Sequence, residues 1–207
     1  WNSRGLGPRT GDDKFAGARW VGGLEETEAR MKALSCIAAV VLLAASHAHA
    51  QDYTFVDLGT LGGPTSYALS VNDLGQVVGK STTTEGDSVG FLWTQGTMSE
   101  LPSLGGSYSM GASINNAGQI TGRAAIASGE VHAALFENAT VLDMGTFGGS
   151  TSYGNHISED GSVVGTAYDA SNVHIAFQWT GGSIVSLGDP YGYGSSATSQ
   201  NTNGQIV

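Results

Sequence analysis

Cysteine and positive charge are the scarcest things in this chain. Of 207 residues one is cysteine, Cys36, and eight are Lys or Arg. From residue 51 onward there is no cysteine, and Lys80 and Arg123 stand alone against thirteen acidic residues, a formal charge of −11. The first absence excludes disulfides and thiolate chemistry from that region, so stability has to come from packing. The second argues against nucleic acid as a partner, because such a surface repels a phosphate backbone. Long apolar runs are missing too. The best, residues 37–45, is far short of the roughly 20 residues that span a bilayer. After Ala50 no window carries the 3.6-residue period of an amphipathic helix. There is no G-x-S-x-G elbow, no H-E-x-x-H and no P-loop.

Glycine, by contrast, is abundant, with 32 residues, and it is periodic. Gly75, Gly118, Gly161 and Gly204 are each 43 residues apart. Gly79, Gly122 and Gly165 keep the same step, as do Leu58, Leu101, Met144 and Leu187, and the large aromatics Trp93, Phe136 and Trp179. A fixed period of this size is the signature of a repeat architecture. The copies run over 58–100, 101–143 and 144–186, with a partial copy at 187–207 that stops where the first continues as Val78-Gly79. The chain is therefore expected to be truncated at its C-terminus.

Within one copy the pattern is that of strands. Residues 67–71 form a short strand candidate. Asn72-Asp73-Leu74-Gly75 is a turn, with Asn to start it and Gly to take the left-handed conformation. Residues 76–81 return, the polar stretch 82–87 makes a loop, and 89–93 form a third strand. Gln95-Gly96 turns the chain into a fourth strand over 98–101, and Leu61-Gly62-Gly63 serves as a glycine-rich link. Small residues at Ala68, Gly111, Gly154 and Ala197 mark close backbone approach. Four strands in about 40–45 residues is a propeller blade. The expected fold is all-β and β-propeller-like, an open fragment of about three and a half blades, with β-trefoil and β-solenoid as alternatives.

The N-terminal portion is different in kind. Met31, Lys32, the apolar stretch 37–45 and Ala48-His49-Ala50 follow the order of a secretory signal peptide, with cleavage expected after Ala50. Residues 1–30 hold five of the eight basic residues, show no strand or helix period, and precede the signal. They read as a non-native upstream or disordered segment. The mature chain, 51–207, is expected outside the cytoplasm, extracellular or periplasmic, without a transmembrane segment and monomeric when complete.

Asp57-Leu58-Gly59-Thr60-Leu61-Gly62-Gly63, followed by residues 71–79 (VNDLGQVVG) and Phe91-Leu92-Trp93, resembles the HAF repeats of bacterial extracellular proteins. Later copies continue it as residues 114–120 (INNAGQI) and 144–149 (MGTFGG). The His-Ala-Phe tripeptide of the family's name is incomplete in every copy: Val89-Gly90-Phe91, His132-Ala133-Ala134 and Ile175-Ala176-Phe177. The resemblance implies a secreted repeat protein and brings no catalytic residues.

No catalytic, cofactor or metal ligand set emerges from the residues. His132 and His174 are 42 apart rather than 43, which puts them on opposite faces of equivalent strands. The acidic turns Asn72-Asp73 and Glu159-Asp160 are the best ion candidates, but calcium takes 6–8 oxygens and hairpin geometry already accounts for them. Trp93, Phe136 and Trp179 are expected as inter-blade core rather than sugar-stacking platforms. The expected function is a non-enzymatic binding or scaffold module whose extracellular ligand is a protein or a glycan. The alternative is a secreted propeller hydrolase or carbohydrate-binding protein acting on polysaccharide, with Asp87 and Glu130, one copy apart, as its conceivable acid pair.

Overall fold

Twelve strands in four-strand groups carry the 43-residue step into three dimensions. The computed structural model describes residues 54–207; the segment 1–30 and the expected signal peptide at 31–50 lie outside them. Residues Val56–Val207 form one unit. The first group is β1 (Gly62–Val71), β2 (Val77–Thr83), β3 (Ser88–Thr94) and β4 (Thr97–Glu100). The second is β5 (Gly105–Ile114), β6 (Ile120–Ile126), β7 (Val131–Glu137) and β8 (Thr140–Gly145). The third is β9 (Gly148–Ile157), β10 (Val163–Asp169), β11 (His174–Trp179) and β12 (Ile184–Gly188). The described residues are all-β and contain no helix, and no helix there is long and apolar enough to cross a membrane.

Each group is an antiparallel meander, β1-β2-β3-β4 and its successors. The groups join where the start of a third strand meets the next first strand in parallel: Ser88 opposite Tyr108, and Val131 opposite Thr151. Together they make an open twelve-stranded sheet. Serines repeat the junction, buried in the first two cases. The Gly90, Ala133 and Ala176 amides donate to Ser109, Ser152 and Ser195 Oγ at 2.8, 2.7 and 2.9 Å.

The apolar cores lie between the groups. One combines Val78 and Leu101 of the first with Ile114, Ile120 and Phe136 of the second. The next combines Leu135 and Met144 of the second with Ile157, Val163, Phe177 and Trp179 of the third. A smaller one joins Val164 and Ala176 to Ala197 and Ile206 of the partial copy. Consecutive residues of β7 serve different cores, Leu135 one and Phe136 the other, because successive side chains on a strand point to opposite faces. This is why the middle strands are buried almost continuously rather than alternately.

Two features differ from the sequence expectation. The paired glycines Gly62-Gly63, Gly105-Gly106 and Gly148-Gly149 are not links but the first residues of β1, β5 and β9. They are needed there because the strand lies tight on its neighbour: a Cβ on Gly63 would overlap Thr82 Oγ1. The loop expected at 82–87 is also shorter, since Thr82 and Thr83 complete β2. The turn glycines do sit at φ between 73° and 81°, in the left-handed region. Gly79, Gly122 and Gly165 have a different reason. A Cβ on each would overlap the carbonyl oxygen of Tyr67, Met110 and Tyr153, beside a register shift in β1, β5 and β9.

Candidate functional site

The two cations of this region occupy equivalent places on β2 and β6, 43 residues apart. Lys80 pairs across the ladder with Tyr67, and its Nζ lies 5.4 Å from that ring's centroid. Arg123 pairs with Met110, which stands where the first copy has Tyr67. Its guanidinium lies 5.9 Å from the ring centroid of Tyr108 and 4.8 Å from that of Tyr153 in the next group. Nε donates to Tyr108 Oη at 3.0 Å, and Nη2 approaches Met110 Sδ at 3.7 Å.

The aromatic run continues beyond Arg123. Tyr153 meets Tyr168 edge to face, with centroids 6.3 Å apart. Tyr168 stands 6.0 Å from the His174 imidazole, which is its cross-strand partner. The backbone of Gly194 packs directly on that imidazole, and a side chain there would overlap it. Tyr108, Arg123, Tyr153, Tyr168 and His174 thus form one half-buried strip across β5, β6, β9, β10 and β11. Among the described residues the one ion pair is His132 with Asp143, at 2.8 Å, so Arg123 has no carboxylate partner there. A planar cation with donors still available, set among aromatic faces, can hold hydroxyl or carboxylate oxygens while the rings stack on a ligand.

Of the residues singled out from the sequence, His174 lies on this strip and the others are elsewhere. Phe136 and Trp179 are buried, with 2% and 7% of their surface exposed, and Trp179 Nε1 donates to Gly182 O at 3.1 Å. Trp93 is only half-buried, lying between Val77 and Met98. The most deeply enclosed aromatics include Phe91 and Phe177, each opposite one of the close-approach glycines, Gly79 and Gly165. His132 and His174 are separate, the first on Asp143 and the second on Tyr168. Asp87 and Glu130 are exposed in the turns between second and third strands, and Glu130 accepts a hydrogen bond from Ser128 of its own turn.

The acidic turns are engaged with neighbouring copies or with themselves. Asn116 Nδ2 donates to Asp73 Oδ2 at 2.8 Å, and the Asn116 amide donates to Glu159 at 3.1 Å. The Ser162 hydroxyl and amide hold the Asp160 carboxyl below its ordinary range. The amide of Gly194 does the same for Asp189, which closes a loop carrying the exposed Tyr191 and Tyr193.

No protein-family model matches this chain, and no curated protein does. Among solved structures it is similar to a fucose lectin from Kordia zhangzhouensis in complex with methyl-fucoside. The identity is 14%, with 60% of this chain and 96% of the lectin covered and a TM-score of 0.33, too shallow a likeness to support an argument.

Proposed function

We propose that this protein is an exported, non-enzymatic binding module of the HAF-repeat kind. Its 43-residue units are arranged as blades of a propeller-like arc, and its ligand is a glycan gripped along the strip from Tyr108 to His174. The observation that carries the ligand class is Arg123, a cation in a strongly acidic chain, without a carboxylate partner among the described residues and set against Tyr108 and Tyr153. An arginine placed for structure in such a chain would have carboxylates to choose from. Tyrosine faces and a guanidinium fork together suit a sugar chain, whose rings offer apolar C–H faces and paired oxygens. The propeller-like reading is supported by cores that fall between consecutive units and by first strands that pack side by side.

The test is a screen of soluble polysaccharides by affinity electrophoresis, using wild type, Arg123→Ala and Tyr153→Ala. Both variants are expected to lose about tenfold or more in affinity, roughly 1.4 kcal/mol. Stability should fall by no more than about 1 kcal/mol, the scale of a part-exposed cation–π contact. Retained binding with a large drop in melting temperature would make the strip structural and end the glycan reading.

A further inference from the structure

The turns of successive units are tied by an asparagine ladder. Asn72 Nδ2 donates to Asn115 O, and Asn115 Nδ2 donates to Ser158 O, both at 3.0 Å. In each case the asparagine amide is also held by its own turn's glutamine, Gln76 or Gln119. The third unit breaks this device. Ser158 replaces the asparagine and Ser162 the glutamine, although the partial fourth copy restores both as Asn201 and Gln205. Ser158 Oγ is left buried without a hydrogen-bond partner. A third departure lies two residues away. Ser70 and Ser113 accept the amides of Ile114 and Ile157 of the following units, and the equivalent residue of the third unit is His156.

Two of these departures, His156 and Ser158, meet at one cavity of about 480 Å³, within the range of small-molecule sites. His156, Ser158 and Glu159 line it together with Thr202, and Ser70 and Ser113 add hydroxyls from the other units. Val71, Ile114 and Ile157 supply an apolar wall. The wall has little to offer an ion. A lone carboxylate, already accepting from Asn116, is a poor cation site, and the same carboxylate disfavours anions. Hydroxyls, an imidazole with both donor and acceptor character and an apolar face suit a neutral ring carrying hydroxyl groups.

We propose that this cavity holds the terminal residue of a neutral glycan, oriented by His156, Ser158 and Glu159. The proposal deepens the glycan-binding reading and rests on it, at a site separate from Arg123. The third unit meets the partial copy by other bonds, Asn155 Nδ2 to Ala197 O and Gln200 Nε2 to Ser162 Oγ, and the unpartnered hydroxyl of Ser158 that remains is what a binding site tolerates and a purely structural turn does not.

The test adds methyl α-D-glucopyranoside, galactopyranoside and mannopyranoside at millimolar concentration to the ¹⁵N-labelled mature chain. At least one is expected to shift the amides of Ser158, Glu159 and Thr202 in a saturable way. The triple variant His156→Ser, Ser158→Asn, Ser162→Gln restores the residues of the other copies. It should melt at a higher temperature and bind that glycoside about tenfold more weakly or worse. Arg123→Ala should leave these shifts intact, so failure of the strip and failure of the cavity are distinguishable. No saturable shift with any of the three glycosides overturns the proposal, and so does unchanged binding by the restored variant.

Discussion

Trp93 and Trp179 fill the same slot two copies apart and meet different surroundings. Trp179 belongs to a core shared by the second and third units, whereas Trp93 is half-buried and belongs to none of the apolar clusters. Replacing Trp179 with Ala should cost about 3–5 kcal/mol through lost transfer energy and the cavity left behind. Trp93→Ala should cost about half of that, and urea unfolding of both variants measures the difference. At this scale the sequence is legible where a residue has one possible reason. Glycine at φ 73° in a four-residue turn has one, and so does glycine under a carbonyl oxygen. Arg123 was harder to read. It shares the 43-residue step with Lys80, and Tyr153 shares a multiple of it with Tyr67, so two of the strip's five residues are periodic. Tyr108 and Tyr168 break the period, standing where other copies have Thr, Ala or Gly. Only the ladder register brings them against Arg123 and Tyr153.

A strand in this fold is defined by the two units it serves. The third strands show it best, with one face on the preceding core and the other on the following one, as in β7. The turns do the same by hydrogen bonding. Asn115 is almost fully buried, and its side chain makes three hydrogen bonds: Oδ1 accepts from the Gln119 amide, and Nδ2 donates to Gln119 Oε1 and to Ser158 O in the next unit. Asn115→Ala should therefore cost more than an ordinary cap, about 1–3 kcal/mol for the buried partners left unpaired. Hydrogen exchange should show faster opening at both the Asn115 and the Ser158 turns. Protection unchanged at Ser158 would show that the ladder does not couple the units. The turn itself could be read from Asn and Gly alone, but its second role could not, since the acceptor lies 43 residues away.

At the scale of the described residues, each unit contacts mainly its sequence neighbours, so stability is approximately a sum of unit and interface terms. Ile114 and Ile157 are 6% and 3% exposed because a preceding unit covers them, while Val71, the equivalent residue of the first unit, is 64% exposed. Deleting residues 101–143 should join Glu100 to Met144 with matching faces and leave a folded, shorter chain. Deleting 101–121 should present the wrong face at the junction and unfold it, because strand faces alternate. Circular dichroism and denaturant titration of the two deletions decide the point. The shared cores also bear on how such a chain can change over generations. Each interface accepts the same kind of surface it presents on its far side, so unequal recombination that adds or drops an intact copy meets a ready-made seam. A duplication of any other length has no partner to close on. Growth and loss should proceed in whole copies, with novelty confined to the few positions, such as His156 and Ser158, where a copy has drifted from its siblings.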